Sequence, residues 1–454
     1  MLKEALFGPH SDLTEGDMNR AIVLLAIPMI LEMAMESLFG VVDAFFVSRL
    51  GPDAIATVGL TESLLTLLFG VAIGLSMATT AFVARRIGEK NPEGAAETSV
   101  QAILLGLILS AVVGVVGVWK ATSLLHFMGS TPAVEANARY TQIMLGGSAV
   151  IFLLFLINAI FRGAGDAFLA MRILWIANGI NIVLDPCLIN GWGPFPRLGV
   201  MGAAVATTTG RGIGVLFQLW ALSSGGNRIV IRRPQVRLNV PVMWNLLRVS
   251  ITGIIQFLVA TASWVALIRI VSSFGSAVVA GYTIAVRLLV FAILPSWGLS
   301  NAAATLVGQN LGAKKPERAE KSVYRAGFYN MAYMAVVSIA FVFFPSVLVA
   351  IFTHDPAVSS PAVSCLSIFG LAFVSYAWGM VLMQAFNGAG DTMTPTLINL
   401  LAFWACQIPL AYWLAIKLGW GPRGAFMAVP VADIVFTITA IVLFRRGTWK
   451  LQKI

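Results

Sequence analysis

The chain has 454 residues, 58% of them hydrophobic and only 11% charged, and its mean hydropathy is +0.87. Soluble domains carry roughly a quarter charged residues, so a soluble enzyme of two or three domains does not fit, nor do disorder, a disulfide scaffold or a collagen-like repeat. The net charge of +10 lies in short basic clusters between apolar runs without aromatic interleaving, the pattern of a membrane surface and not of nucleic-acid binding.

A bilayer crossing needs about 20 apolar residues. Hydropathy predicts twelve helices, beginning near Met18, Ala54, Ala95, Glu135, Ala167, Val200, Pro241, Ala277, Arg318, Ala357, Thr392 and Gly424. Residues 1–20 are polar and have no apolar core followed by a small-residue cleavage site, so the first span is expected to be retained. Most connections are short and carry turn chemistry, as in LGPD at 50–53, EKNPEG at 89–94 and GWGP at 191–194 and 419–422. The one long polar link, 223–239, lies near the midpoint with six apolar runs on each side. The expectation is an all-α polytopic membrane protein of two pseudo-symmetric six-helix bundles, 1–222 and 241–454, joined by a cytoplasmic linker at 223–240.

An internal repeat supports that division. VARRIGEKNPEGAAE at 83–97 aligns with VGQNLGAKKPERAEK at 307–321, and STPAV at 130–134 with HDPAV at 354–358, both at an offset of 224. FRGAGD at 161–166 aligns with FNGAGD at 386–391 at 225. Six helices per repeat make the two repeats parallel, related by an axis along the membrane normal. Basic residues are concentrated on one side, from Lys3, Arg20, Arg85, Arg86 and Lys90 through Arg228, Arg232 and Arg233 to Lys314, Lys315, Arg318 and Lys453. The positive-inside rule makes that side cytoplasmic and places both termini there. The predicted location is the cell (inner) membrane.

Ionisable groups inside a span are costly and therefore functional candidates. The first helix holds Glu32, Glu36 and Asp43, which fall within about 40° of one another around the axis. Pro28, one turn before Glu32, removes a backbone hydrogen bond and allows a bend. The fifth helix carries Asn181 and Asp185 on one face. Across the repeat Glu32 corresponds to Gln256, Glu36 to Ala260, Asp43 to Leu267, Asn181 to Cys406 and Asp185 to Leu410. Acids confined to one half look like a binding site and not like scaffold. Arg211 and Asp433, equivalent across the halves, are expected to pair with each other or to find local partners, with a packing role favoured. The GRGIG run at 210–214 fits small-residue helix packing. Cys187, Cys365 and Cys406, and His10, His126 and His354, have no metal-ligand spacing. No nucleophile–base pair, HExxH, GxSxG or Walker-type loop occurs, so the chain is read as a non-enzyme without cofactor.

The six-plus-six layout, VVDAFFVSRLGPDAIATVG at 41–59, the paired VARRIGEKNP and VGQNLGAKKP loops, FRGAGD and FNGAGD, and NIVLDP at 181–186 together resemble the multidrug and toxic compound extrusion (MATE) family over nearly the whole chain. The resemblance implies a V-shaped pair of bundles that alternately open a central cavity, exporting lipophilic, usually cationic compounds in exchange for H+ or Na+. NIVLDP and GAAVAT at 202–207 look like the DinF-like branch. This implies that Asp43, Asn181, Asp185 and Thr207 are its coupling residues and hold Na+ if that is the ion. Glu32 and Glu36 lie outside the matched motif, as further cavity or coupling candidates. The neighbourhoods of Gln256 and Tyr376, where the NorM-like branch places acids, contain no carboxylate. The expected partners are small lipophilic cations and membrane lipids, not nucleic acid, and a monomer is expected. The alternative reading is a lipid or lipid-linked oligosaccharide flippase of the same superfamily; the acidic stripe and the count of twelve helices favour cationic cargo.

Overall fold

A computed structural model describes residues 12–452 and 454; Lys3, His10 and Lys453, assigned above to one side or set, lie outside the described residues. Ten continuous helices are long and apolar enough to cross a membrane, and two bent helix pairs bring the number of spans to twelve. In chain order these are α1 (Met18–Ser48), α2 (Pro52–Gly88), α3 (Pro92–Phe127), the pair α4 (Ala138–Gly146 and Ser148–Ala164), α5 (Ala167–Asn190) and α6 (Val200–Ser223). The second bundle comprises α7 (Val240–Val271), α8 (Ser276–Gly312), α9 (Pro316–Phe343), the pair α10 (Pro356–Gly370 and Phe373–Ala389), α11 (Met393–Lys417) and α12 (Pro422–Arg445).

The helix starts fall within about three residues of the hydropathy reading because local chemistry marks them. Asp17, Asn91, Asn239 and Asp355 accept backbone N–H bonds at N-caps, and Pro52, Pro92, Pro316, Pro356 and Pro422 occupy first helical positions. Hydropathy gave no sign that the fourth and tenth helices are bent. They bend by 41° and 58°. The breaks fall at Gly147 and Ala372, equivalent positions of the repeat at an offset of 225. A methyl group on Gly147 would lie 2.9 Å from the Thr208 side chain, and next to it the Ser148 hydroxyl donates to the Ser110 carbonyl. In α10 the Ser338 hydroxyl donates to the Gly370 carbonyl exposed by the break, as backbone in hydrocarbon requires. Helix α1, by contrast, runs unbroken through Pro28, which leaves the Leu24 carbonyl without an i+4 donor.

The repeat holds at atomic detail. A Cβ on Gly88 would lie 2.0 Å from the Gln309 carbonyl oxygen, and one on Gly312 would lie 2.2 Å from that of Arg85. The 224 offset relates Gly88 to Gly312 and Arg85 to Gln309, so a pseudo-twofold axis passes between these contacts. Midway along the helices, a Cβ on Gly74 would meet the Ile254 nitrogen at 2.5 Å, and one on Gly298 that of Ile30 at 2.9 Å. These are equivalent pairs again. Lys90 and Lys314 share the same left-handed φ of 57° after their helices.

Each bundle also lends its first helix to the other. Leu25 and Met29 of α1 sit in one core with Leu299, Leu306 and Phe386 of the second bundle, and Leu246 of α7 packs with Ala78 and Phe82 of α2. Hydrogen bonds tie the bundles at the basic end: Arg85 Nη2 to the Gln452 carbonyl at 2.6 Å, Gln309 Nε2 to the Gly163 carbonyl at 2.9 Å.

The glycine crossing generates a prediction. Gly88→Ala places a methyl group against a backbone carbonyl that no side-chain rotation can clear. Spin labels at Lys90 and Lys314 should then show a distance distribution shifted to longer values, with Gly312→Ala giving the same shift. An unchanged distribution would mean that the crossing does not set closure at this end.

Candidate ion and cargo site

Helices α1 and α5 run in the same direction, and each places three residues at i, i+3 and i+7 on one face: Glu36, Phe39 and Asp43 on α1, Asn178, Asn181 and Asp185 on α5. Helix α6 runs oppositely and contributes Thr207 and Arg211, one turn apart. Its close approach rests on Gly210, where a Cβ would lie 2.7 Å from the Ala177 carbonyl, in line with the small-residue reading of GRGIG.

The three helices build two levels. At the first, Glu36 Oε1 accepts from Arg211 Nη2 at 2.7 Å and Oε2 from Asn178 Nδ2 at 3.0 Å, while the Arg211 guanidinium lies 4.9 Å from the Phe39 ring centroid. At the second, the Asn181 amide donates to Thr207 Oγ1 at 3.1 Å and, at 3.5 Å, to Asp185 Oδ1. Asp43 lies within electrostatic range of Asp185, of Glu62 on α2 and of Arg211. Asp43 Oδ1, Asp185 Oδ2 and Asn181 Oδ1 are all buried without a hydrogen-bond partner. Buried acceptors are normally satisfied, so three on facing helices mark a place that suits a cation or a proton. Among the described residues no three His, Cys, Asp or Glu side chains converge to hold a metal ion.

Glu32 and Glu36 differ from these. Glu32 is 2% exposed, and its Oε1 accepts from Arg162 Nη1 at 2.9 Å and from Asn158 Nδ2 at 3.2 Å. Gln218 Nε2 extends this network to Asn158 at 2.8 Å. Two of the three acids in the stripe read from the sequence are therefore neutralised: Glu32 and Glu36 each have an arginine, whereas Asp43, like Asp185 on α5, does not. Arg211 pairs with Glu36 and not with Asp433, so of the two alternatives for Arg211 the structure shows the local partner. Asp433 is buried in α12, within electrostatic range of Tyr376.

The sequence reading missed Arg162, Asn178 and Tyr140. Arg162 had served only as a repeat marker and a basic-side residue. Its signal was present nonetheless, because the repeat carries Glu32 to Gln256 and Arg162 to Asn387 together, both charges giving way to neutral amides. Asn178, one turn before Asn181, was legible by spacing. Tyr140, within electrostatic range of Asp43 and Asp185, gave none.

One cavity adjoins the site at Glu36, and a second shares walls with the first. The first, about 220 Å³, lies between the bundles and is lined by Glu36, Arg162, Asn301, Gln384 and Asn387. The larger, about 550 Å³, belongs mainly to the second bundle, and its walls include Trp264, Tyr282, Trp297, Tyr376, Phe403 and Phe436. Its lining contains no charged side chain, and Met77, Trp297, Gln384 and Asn387 border both cavities.

The ion-pair-to-amide exchange gives a stability prediction. Arg162→Asn alone strands the Glu32 carboxylate and should cost about 3–5 kcal/mol. E32Q/R162N, which copies the other half, should recover most of that loss in a thermal melt of the detergent-solubilised protein. A double variant no more stable than the single one would show that the pair is not what Arg162 supports.

Comparison with known proteins agrees with this geometry. Residues 28–187 and 253–413, matching segments of the two bundles, fit the MatE family. The chain is 26% identical to the probable multidrug resistance protein NorM of Thermotoga maritima, over 96% of this chain and 94% of that one. It is 25% identical to the FAD transporter of Shewanella oneidensis, over 96% of each. A crystal structure of MATE in complex with MaL6 superposes with a TM-score of 0.90 at 27% identity, covering 97% of this chain and 99% of the other. An outward-facing multidrug resistance MATE transporter of the MOP superfamily also gives a TM-score of 0.90 at 27% identity, covering 97% and 98%. The chain therefore belongs to the MatE family: it is a multi-pass membrane transporter of small molecules in the multidrug-efflux family, and not an enzyme.

Proposed function

We propose that the protein is a secondary antiporter that exports lipophilic cations across the cell membrane in exchange for H+ or Na+. The observation that carries this reading is the set of three buried, unpartnered acceptors on Asp43, Asn181 and Asp185, one helix face along from Glu36, which lines a cavity that shares walls with the large aromatic one. A proton needs one of these oxygens. Na+ would use the carboxylates with the Asn181 amide oxygen and the Thr207 hydroxyl. Cargo places its apolar body against the aromatic walls of the second bundle and its charge toward the first, so ion and cargo compete for the same negative charge.

In this reading, lobes 1–222 and 241–454 rock about the 223–240 linker, the basic end with both chain termini faces the cytoplasm, and a monomer suffices. The close glycine contacts lie from mid-helix to the basic end, which supports an outward-open form. The DinF-like assignment rests on NIVLDP and GAAVAT. A flippase for phosphate-linked lipids is less well supported, because the large cavity has no cationic lining and Arg162 at the small one is already paired with Glu32.

The test is efflux of a fluorescent cation from proteoliposomes, with Na+ and pH gradients imposed separately. One of the two gradients should drive export, and Asp43→Asn and Asp185→Asn should each reduce it to the level of protein-free vesicles. Wild-type export by either variant at equal insertion would remove that residue from the site. Linkage adds a second expectation, since cargo and ion must weaken each other's binding equally. Cargo affinity in detergent should fall with acidification or with added Na+, and affinity indifferent to both would leave the carboxylates without a coupling role.

A further inference from the structure

We propose that Arg211 is a tethered internal cation that leaves Glu36 for Asp43 when Asp43 is charged and unoccupied, and so competes with transported cations for that carboxylate. The inference rests on the reading of Asp43 as a coupling residue. It adds a component that the reading does not contain: a positive charge that belongs to the protein.

The track is laid out on one face of α1. Glu36 and Asp43 are seven residues apart, about 10 Å along the axis, with Phe39 between them. The guanidinium is bonded to Glu36 at 2.7 Å and already rests against the Phe39 ring at 4.9 Å. An aromatic face receives a guanidinium favourably, so the midpoint of the path is itself a resting place. Both ends have unused capacity: Arg211 Nε is a buried donor without a partner, and Asp43 Oδ1 a buried acceptor without one. Arg211 is 4% exposed, so water does not satisfy its Nε.

Departure does not strand Glu36. Asn178 continues to donate to its Oε2, and the Glu36 side chain is 32% exposed toward the small cavity. Glu32, by contrast, is buried and locked to Arg162, so the device exists at one of the two pairs only. The polar and charged groups that face the path are Glu36 and Asp43 on α1, Glu62 on α2, Tyr140 on α4, and Asn178, Asn181 and Asp185 on α5. Every acid among them beyond Glu36 lies toward Asp43, so the pull on an unshielded guanidinium is toward the coupling carboxylates. A proton, Na+ or cationic cargo at Asp43 cancels that pull and returns Arg211 to Glu36, the arrangement observed.

The experiment measures binding of tetraphenylphosphonium to the purified full-length protein in alkaline, Na+-free buffer. Glu36→Gln removes the parking place without changing side-chain size, so Arg211 should reside on Asp43 and weaken tetraphenylphosphonium binding about tenfold, within the usual range of coupling between sites. In an Asp43→Asn background the same substitution should have no effect. If Glu36→Gln does not yield monodisperse protein, Glu36→Asp, which withdraws the carboxylate by one methylene, should act in the same direction. Binding unaltered by the Glu36 variants, while Asp43→Asn changes it, would overturn the proposal and leave the coupling reading standing. An equal loss in both backgrounds would also overturn it, by making the pair a packing element. An Asp43→Asn protein that binds like the wild type would remove the coupling reading, and this proposal with it.

Discussion

The cost of an unbalanced charge in hydrocarbon governs this protein. A carboxylate away from water must find a counter-charge, coordinate a cation or take up a proton. The first bundle holds four acids along α1 and α5 and supplies arginines for two of them. The remaining two, Asp43 and Asp185, face each other with unpartnered oxygens. The proposed exchange rests on this imbalance, because a charge that neither arginine neutralises in the observed arrangement is one that a proton or a cation can balance.

The scaffold turns that local condition into a global one. Glycine crossings at Gly88 and Gly312, and again at Gly74 and Gly298, bring backbones of the two bundles into direct contact under a pseudo-twofold axis. Backbone contacts of this kind have no side chains to adjust, so the interface is either formed or separated, as a bistable element requires. Because α1 packs partly in the core of the second bundle, the helix that carries Asp43 also belongs to the interface that must open. Charge on α1 and the packing of the bundles therefore share one rigid element.

Much of this was legible in the sequence. Helix number, starts and the repeat were read from hydropathy, caps and offsets, because membrane helices satisfy their backbones locally and announce their ends. Asp43, Asn181 and Asp185 were read correctly as lying on shared faces. What could not be read was which acids were already neutralised. Arg162 and Arg211 lie 130 and 175 residues from their partners, and nothing local specifies such a contact. The bends at Gly147 and Ala372 were missed for a similar reason: apolar continuity hides a break whose polar groups are satisfied from a neighbouring helix. The joint exchange of Glu32 and Arg162 for the neutral Gln256 and Asn387 was the one long-range signal available, and it pointed to the contact of the first two.

That exchange also explains why the two halves differ. Three residues of the polar ladder in the first bundle have apolar counterparts in the second: Asp43 becomes Leu267, Asn178 becomes Phe403, Asp185 becomes Leu410, while Arg211 corresponds to the buried Asp433. Phe403 lines the large cavity and stacks at 5.6 Å on Phe436. Duplication supplied two equivalent interiors, and only one could bear unbalanced charge without doubling its cost. The other has an uncharged cavity with aromatic walls and a few amides, a surface that receives apolar and cationic groups without requiring a counter-ion. On the proposed reading a cation between the bundles meets both demands at once, with charge exchanged on one wall and apolar surface held on the other.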